Sequence, residues 1–281
     1  MFYISDAELD RLLLEDIAYG DLTTRALDIG KQIGQISFSR QQAGRVSGVA
    51  IAVRLLQKLM LEVVVNVQDG EDVTAGTVLM TATGTAKRLH QGWKVVQNVL
   101  EWSCGVAQYM AQMVTTAQNI NPLVQIACTR KSIPGTKSLA IAAVIDGGGI
   151  LHRAGTAESV LLFANHRRFY VEPDNWGRMV ARLKQAAPEK KVIVEADTIE
   201  EALAALKAQA DIVQLDKFTP EQFATVLAHA RLLAPMSMLS AAGGITLLNI
   251  ADYVRAGAQL LVTSAPYYAP PVDIKVRLQP L

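Results

Sequence analysis

Two pairs of cationic side chains lie within a stretch of some twenty-five residues. Arg130 and Lys131 follow the short apolar segment 124–128, and His152 and Arg153 follow the three glycines 147–149. Glycine lets a backbone approach a ligand closely, and residues at the carboxyl ends of parallel strands form the anion sites of α/β folds. These two clusters therefore predict a small acidic or phosphorylated substrate that is held from two sides.

Two carboxylates follow later apolar segments of the same half of the chain. Glu195 and Asp216 each end a predicted strand, and the next two predicted strands end at the small-residue turns Gly243-Gly244 and Ser264. Phosphate groups commonly bind to the backbone N–H groups of such turns. Two carboxylates beside a phosphate site predict Mg²⁺, which takes one or two protein carboxylates together with phosphate oxygens. The alternative is that each carboxylate only orients a nearby lysine.

The elements that must position these groups change in type along the chain. The apolar spacing predicts an amphipathic helix over 5–17. Between residues 33 and 86, short strands and glycine turns surround one helix, 50–61, which predicts an antiparallel sheet with a covering helix. A break is predicted at Gly92, followed by a long helix over 93–119.

From residue 122 onward, predicted strands alternate with predicted helices at intervals of some twenty to thirty residues. This pattern indicates a parallel α/β fold, although periodicity alone does not separate a doubly wound sheet from a barrel. Polar or charged residues at almost every strand end favour the barrel, in which those ends meet at one face. The predicted strands are 124–128, 159–163, 192–195, 212–215, 236–241 and 260–263. The predicted helices between the later strands are 174–186, 199–209, 220–233 and 247–256.

Composition argues against several classes of protein. The 27 Lys and Arg residues against 26 Asp and Glu residues give a net charge of +1, so no general nucleic-acid surface is expected. No apolar run approaches the roughly twenty residues of a membrane span and no signal peptide is evident, so we expect a cytoplasmic protein without membrane partners. Cys104 and Cys128 are too few for a disulfide framework or zinc site and are predicted to pack in the interior.

The motifs resemble those of the quinolinate phosphoribosyltransferase (nicotinate-nucleotide pyrophosphorylase) family. The most specific are T-R-K-S-I-P-G at 129–135 and G-G-G-I-L-H-R at 147–153. Further matches extend the resemblance over essentially the whole chain. Within the family, the chain is most similar to the branch associated with molybdenum transport, the ModD proteins.

The resemblance implies a type II phosphoribosyltransferase fold. This fold consists of an open-faced α/β sandwich followed by an incomplete, seven-stranded α/β barrel. We predict the sandwich domain over 1–110 with the tail 270–281, and the catalytic barrel over 111–269. The resemblance also implies a homodimer, or a higher homo-oligomer, in which each sandwich covers the barrel mouth of the partner.

The family chemistry assigns roles to the candidate residues. Phosphoribosyl pyrophosphate (PRPP) would bind as co-substrate with Mg²⁺, which Glu195 and Asp216 would hold. An aromatic acid or nitrogen base, the acceptor, would take the phosphoribosyl group as pyrophosphate leaves. The residues with catalytic roles are Lys131, Glu195 and Asp216. The predicted substrate contacts are Lys94, Arg130, Lys131, His152, Arg153 and Phe163. The predicted phosphate contacts are Ala242, Gly243, Gly244 and Ser264.

Several positions depart from the family pattern. Phe163 and Ile141 stand where the family has lysines, Ala242 replaces a serine, and Tyr268 replaces a histidine. A charge-assisted hydrogen bond contributes about 1.5–3 kcal/mol, so the loss of one or two cations should cost quinolinate about one to four orders of magnitude in affinity. We therefore predict a changed acceptor that is larger or less anionic.

Two further lysines differ from the family. Lys217 replaces an asparagine and adds a cation beside Asp216 that could face pyrophosphate. Lys94 stands where the family has an arginine that reaches into the neighbouring subunit. A solvated lysine at the start of a helix is the alternative for Lys94.

Three hypotheses about function remain open. The first is a phosphoribosyltransferase with a non-quinolinate acceptor, linked to molybdenum transport or metabolism. The second is an ordinary quinolinate phosphoribosyltransferase of NAD biosynthesis, against which Phe163 and Ile141 argue. The third is a non-catalytic regulatory protein that binds an anion or nucleotide. Glu195 and Asp216 together argue against the third hypothesis, because an anion sensor gains nothing from two carboxylates that face its ligand.

Overall fold

The structure, a computed structural model, describes residues 3–281 and divides the chain into two compact units. The first unit comprises the residues up to Ala111 with Ile133–Gly148 and Pro266–Leu281, and the second comprises Gln112–Ser132 and Gly149–Ala265. The predicted domain limits stay a prediction. They place residues 133–148 in the barrel domain, whereas contacts group this segment with the first unit.

The described residues form ten α-helices, thirteen strands and a short 3₁₀ helix, Ala265–Tyr268. The α-helices are α1 (Asp6–Ile17), α2 (Leu22–Ala26), α3 (Val49–Lys58), α4 (Ala86–Gln118), α5 (Lys137–Asp146), α6 (Ala164–Arg167), α7 (Trp176–Ala186), α8 (Ile199–Lys207), α9 (Pro220–Leu233) and α10 (Ile250–Arg255). The strands are β1 (Ile33–Arg40), β2 (Gly44–Arg45), β3 (Glu62–Val65), β4 (Asp72–Val73), β5 (Val78–Thr85), β6 (Gln125–Cys128), β7 (Ile150–Leu151), β8 (Val160–Leu162), β9 (Val192–Ala196), β10 (Ile212–Asp216), β11 (Met238–Ala242), β12 (Leu260–Thr263) and β13 (Ile274–Pro280).

The first unit is built on an antiparallel sheet with strand order β13-β1-β5-β3. Side chains of β1 alternate between buried and partly exposed positions, and Ile36 and Phe38 are completely buried. Helix α3 packs against β3 and β5 with its apolar face, which includes Leu55 and Leu56. The predicted sheet with a covering helix is confirmed, as is the predicted N-terminal helix, which Ser5 caps by accepting a hydrogen bond from the backbone N of Glu8.

The predicted break at Gly92 is wrong, because α4 runs through it without interruption. A Cβ atom at residue 92 would lie 2.9 Å from Cδ1 of Leu59 and 3.2 Å from Cδ2 of Leu56. Glycine at this position therefore permits close packing of α4 against Leu56 and Leu59. In the sequence alone, such a glycine cannot be distinguished from one that marks a turn.

The second unit contains seven parallel strands in the order β7-β6-β12-β11-β10-β9-β8. The sheet curls into a half-barrel, and in the described residues its end strands β7 and β8 do not pair with each other. The predicted incomplete, seven-stranded barrel beside an α/β sandwich is confirmed. The two cysteines pack in the interior as predicted, since Cys104 and Cys128 are both fully buried.

One face of the half-barrel sheet carries both predicted carboxylates, and we call it the site face. Strand register places Leu161, Ile193 and Ile212 side by side in an apolar row. Because side chains alternate along a strand, Glu195 and Gln214 follow on the same face, one row nearer the carboxyl ends of the strands. The polar row therefore lies beside the apolar row, on the side of the carboxyl ends of the strands.

Within the part of the chain that the structure describes, no helix is long and apolar enough to cross a membrane.

Candidate functional site

The two predicted carboxylates lie on neighbouring strands of the site face. Glu195 on β9 pairs in register with Gln214 on β10, and Nε2 of Gln214 donates a hydrogen bond of 2.8 Å to Oε2 of Glu195. Asp216, the last residue of β10, is two positions after Gln214 and shares its face. Burial and then the negative charge of Asp216 raise the pKa of the Glu195 carboxyl. The two acids are therefore close enough to repel each other.

This carboxylate pair fits a hydrated magnesium ion that also binds a phosphate-bearing substrate. Among the described residues, no group of three or more His, Cys, Asp and Glu side chains is arranged to hold a metal ion. Glu195 and Asp216 would supply two ligands and leave the others to phosphate oxygens and water, as Mg²⁺ commonly requires. A divalent cation would also relieve the repulsion between the carboxylates.

Two buried polar side chains of the site face were not predicted from the sequence. Gln214 and Ser240 pair in register on β10 and β11. The Oε1 atom of Gln214 and the Oγ atom of Ser240 have no hydrogen-bond partner within residues 3–281. Such groups usually meet water or a ligand, because an unpaired buried polar group is costly. Polar residues inside otherwise apolar strand segments were the sequence signal for both.

The turn after β11 is shaped around Asp216. Gly243 and Gly244 have φ angles of +83° and +74°, which favour glycine. A Cβ atom on Gly243 would lie 2.6 Å from Oδ1 of Asp216 and 2.7 Å from the backbone N of Lys217. The backbone N of Lys217 donates a 2.8 Å hydrogen bond to the carbonyl of Ala242. Only glycine allows the chain to pass so close to the carboxylate.

The turn after β11 is held by hydrogen bonds from two side chains, one of which belongs to β12. Nδ2 of Asn249 donates to the Gly244 carbonyl at 3.0 Å, and Oγ1 of Thr263 donates to the Ile245 carbonyl at 2.6 Å. Strands β11 and β12 are neighbours, so their ends bring the predicted phosphate contacts 242–244 close to Ser264. Phosphate binding there stays a prediction.

The cations follow the neighbouring strands β6 and β7. Arg130 comes two residues after β6, and the guanidinium of Arg153 lies 5.5 Å from the ring centroid of Phe163, which follows β8. Burial and the charge of Arg130 lower the pKa of Arg153, while Glu195 raises it. Arg153 therefore interacts with residues near both ends of the open sheet. The ring of Phe163 also stacks on His166, with centroids 5.7 Å apart.

His152 and Lys131 differ in their electrostatic roles. Burial and then the charge of Arg153 lower the pKa of His152, so its imidazole is neutral near pH 7 and suited to hydrogen bonding. The charge of Lys131 lowers the pKa of Glu195, so the lysine interacts electrostatically with this carboxylate, and its catalytic role stays a prediction. All the predicted site residues except Lys94 lie in the second unit, and their roles stay predictions.

Lys94 lies in the first unit, on α4. Its Nζ atom donates to Oε1 of Gln97 at 2.8 Å and is 4.3 Å from the ring centroid of Trp93. Ile141 and Tyr268, two other departures from the family pattern, also lie in the first unit. A role for Lys94 in the site stays a prediction.

Two family models match the chain along most of its length. The model described as quinolinate phosphoribosyl transferase, C-terminal domain, matches residues 106–277, and the N-terminal domain model matches residues 21–104. The chain belongs to the quinolinate phosphoribosyl transferase family. The resemblance inferred from the motifs is thereby confirmed, and with it an enzyme of the glycosyltransferase type.

Individual relatives agree with this assignment. The chain is 52% identical over 280 residues to a protein of Escherichia coli O6:H1 described as "Putative pyrophosphorylase ModD", covering 100% of this chain and 99% of the relative. It is 29% identical over 277 residues to the nicotinate-nucleotide pyrophosphorylase (carboxylating) of Mycobacterium leprae, covering 93% and 95% of the two chains. The solved nicotinate-nucleotide pyrophosphorylase of Francisella tularensis has the same fold, with a TM-score of 0.88, 23% identity and coverage of 99% and 98%.

Proposed function

We propose that this enzyme transfers the phosphoribosyl group of PRPP to the ring nitrogen of an aromatic acid or base other than quinolinate. The observation that carries the proposal is the proximity of Glu195 and Asp216 on neighbouring strands of the half-barrel, which also bears Arg130 and Arg153. This arrangement offers a magnesium site for PRPP and a cationic site for the acceptor.

The reaction is a substitution at the anomeric carbon of the ribose. The bond from this carbon to the pyrophosphate oxygen breaks, and pyrophosphate leaves with the electron pair. The lone pair of the acceptor nitrogen forms the new C–N bond, so no oxidant or reductant is needed. When bound, Mg²⁺ would neutralise charge on pyrophosphate, and Lys131 would add a positive charge beside it. The protein contributes mainly position and electrostatic stabilisation.

The acceptor is selected by charge and by an aromatic surface. Arg130 and Arg153 can bind one carboxylate, and the neutral His152 can donate a hydrogen bond to it. Phe163 places an aromatic ring under Arg153, where a second carboxylate would find no hydrogen-bond donor on that ring. An acceptor with one carboxylate, or none, suits this lining better than a dicarboxylate.

Quinolinate remains the alternative acceptor, because Arg130, His152 and Arg153 are kept and some relatives are nicotinate-nucleotide pyrophosphorylases. A regulatory protein that binds without turnover is the alternative from another class. The link to molybdenum rests on resemblance to the ModD branch, and the cytoplasmic location rests on the sequence. Both stay predictions.

The test measures PRPP binding separately from turnover. We expect PRPP with Mg²⁺ to raise the melting temperature, and pyrophosphate to be released with some members of a panel of aromatic acids and nitrogen bases. Glu195→Gln and Asp216→Asn should each weaken PRPP binding at least about tenfold, since each removes a charged ligand. Asp252→Asn, at an exposed position of the same unit, is the control. If PRPP with Mg²⁺ did not raise the melting temperature, the proposed transfer from PRPP would be refuted. Efficient turnover of quinolinate would refute the proposal that the acceptor has changed.

A further inference from the structure

A cavity of about 800 Å³ runs along the end strand β8 in the second unit. Most of its lining is apolar. The apolar side chains that β8, the residue after it and α7 contribute include Leu161, Leu162, Phe163, Met179, Leu183 and Ala186. Arg182 and Lys190, which are both exposed, line its solvent-facing part. The lining is therefore suited to an apolar molecule that enters from a polar surface.

The cavity follows from the open edge of the half-barrel. Strand β8 ends the seven-stranded sheet, and among residues 3–281 it pairs on one side only, with β9. Residues 179, 183 and 186 are spaced three and four apart, so α7 presents them on one face. Apolar side chains of β8 and α7 thus border a space that a further strand would occupy in a closed barrel.

The cavity is continuous with the candidate acceptor site. Arg130 and Arg153 are both part of its lining, together with Phe163, whose ring centroid lies 5.5 Å from the guanidinium of Arg153. The lining also includes Ser159, whose Oγ atom is buried without a hydrogen-bond partner in the described part of the chain. A ligand can therefore meet two cations, an aromatic face and one free hydroxyl in a single connected space.

We propose that the acceptor carries an apolar extension, such as a second ring or a branched chain, which fills this cavity while its carboxylate binds Arg130 and Arg153. This inference rests on the proposed phosphoribosyl transfer and specifies its acceptor. A single-ring acid would leave the apolar walls in contact with water, whereas an extended acid removes that surface from water. A volume of about 800 Å³ lies in the upper part of the range of about 300–1,000 Å³ that is typical of sites for drug-sized ligands.

The test compares two matched probes by titration calorimetry on the full-length protein. The probes are a pyridine monocarboxylate and the same acid with a phenyl substituent on the ring. We expect the substituted acid to bind at least about tenfold more tightly, because it buries additional apolar area. Ala186→Trp fills the cavity from α7 and should remove this gain without weakening the unsubstituted acid. Ala181→Trp, at an exposed position of the same helix outside the cavity lining, should keep the gain.

Each outcome decides the inference. Equal affinity of the two acids would overturn it, and so would a gain that survives in Ala186→Trp or disappears equally in Ala181→Trp. The PRPP and Mg²⁺ melting experiment is run on the same samples. If PRPP stabilises the protein but the substituted acid binds no more tightly, the proposed phosphoribosyl transfer stands and the proposed apolar extension of the acceptor is refuted. If the substituted acid binds more tightly but PRPP does not bind, the cavity is a site for an apolar acid and the proposed phosphoribosyl transfer is refuted.

Discussion

Gly243 is the residue on which the position of Asp216 depends most directly. Its φ of +83° disfavours any side chain, and an added Cβ would also collide with the backbone N of Lys217, which cannot move without disturbing β10. Gly244 has a similar φ of +74°, but no atom of the residues that the structure describes lies within 4 Å of the position of an added Cβ. The two glycines therefore separate the effect of a collision from the effect of backbone strain.

We expect Gly243→Ala to lower the free energy of unfolding by about 2–4 kcal/mol, from backbone strain and overpacking together. Gly244→Ala should lower it by about 1–2 kcal/mol from strain alone. Gly243→Ala should also weaken PRPP binding at least about tenfold more than Gly244→Ala does. Urea denaturation and PRPP titration measure the two effects. Equal losses in both variants would show that neighbouring atoms shift to accommodate the Cβ at residue 243 without cost.

Asp146, the last residue of α5, makes the first unit sensitive to pH. Burial and then the charge of Asp69 raise its pKa to about 6 from an ordinary 3.8, against the opposing hydrogen bond of 2.6 Å from Oγ of Ser47. Since the folded state binds the proton more tightly, this group stabilises the fold below about pH 4 and loses that contribution as pH rises through about 6. Burial also raises the pKa of Asp69, with the same sign of effect.

We expect Asp146→Asn to be more stable than the natural protein at pH 8 by about 1 kcal/mol, and nearly equal to it at pH 4. The full shift corresponds to about 3 kcal/mol, and we reduce it because the carboxyl is only partly buried and solvent screens its charge. Urea denaturation across this pH range provides the measurement. Glu62→Gln, at an exposed position of β3, is the control. A constant difference between Asp146→Asn and the natural protein from pH 4 to 8 would contradict the assignment.

At the scale of elements, α9 depends on a capping box at its N-terminus. Oγ1 of Thr219 accepts from the backbone N of Gln222 at 3.2 Å, and Oε1 of Gln222 accepts from the backbone N of Thr219 at 2.9 Å. Pro220 occupies the first helical turn, where its missing N–H costs nothing. This helix follows β10 and the Asp216 turn, so its start helps to fix the end of that strand.

We expect Thr219→Ala to lower the free energy of unfolding by about 1 kcal/mol through loss of the cap. Thr225→Ala changes the same residue type in the exposed middle of α9, where Oγ1 donates to the Glu221 carbonyl of the preceding turn. It should alter stability by less than about 0.5 kcal/mol, because alanine is the better helix former. Chemical denaturation compares the two variants. A larger loss for Thr225→Ala would mean that the cap is not what stabilises α9.

Elements with local signals were predicted well, and elements that depend on distant pairing were not. The predicted limits of α9 and β12 agree with the structure, because Thr219-Pro220 and a short apolar run define them locally. Strand β7 has only two residues, and β13 is a strand because it pairs with β1 far away in the sequence. Neither has a periodicity that a window along the chain could detect.

At the scale of the whole molecule, the alternation of strands and helices in the sequence was compatible with two folds, a doubly wound parallel sheet and a barrel. Polar strand ends favoured the barrel, but its incompleteness was implied only by family resemblance. Strand order explains why, since β6 lies between β12 and the end strand β7, and the sheet ends on its other side at β8. The carboxylates could be found from strand ends, whereas Gln214 and Ser240 required register, and the cavity beside β8 required the open edge and α7 together.

The predicted homodimer leads to a test of Lys94 that does not depend on the identity of the acceptor. The resemblance implies that this lysine acts in the site of the partner subunit, whereas Glu195 acts in its own. Lys94→Ala and Glu195→Gln should each reduce turnover of PRPP at least about tenfold. In a mixed dimer, one site combines the intact Glu195 of one subunit with the intact Lys94 of the other.

Unfolding and refolding an equal mixture of the two variants should therefore restore about a quarter of the natural activity, because half of the dimers are mixed and each has one complete site. Pyrophosphate release with PRPP and an accepted acid measures the recovery, and light scattering confirms the dimer. A mixture of Glu195→Gln and Asp216→Asn should stay inactive. Both carboxylates act in the site of their own subunit, so no mixed dimer has a complete site. Recovery in that control would mean that Glu195 and Asp216 do not act in the same subunit's site. No recovery in the Lys94 mixture would mean that Lys94 acts within its own chain, and full activity of Lys94→Ala alone would make it a solvated lysine.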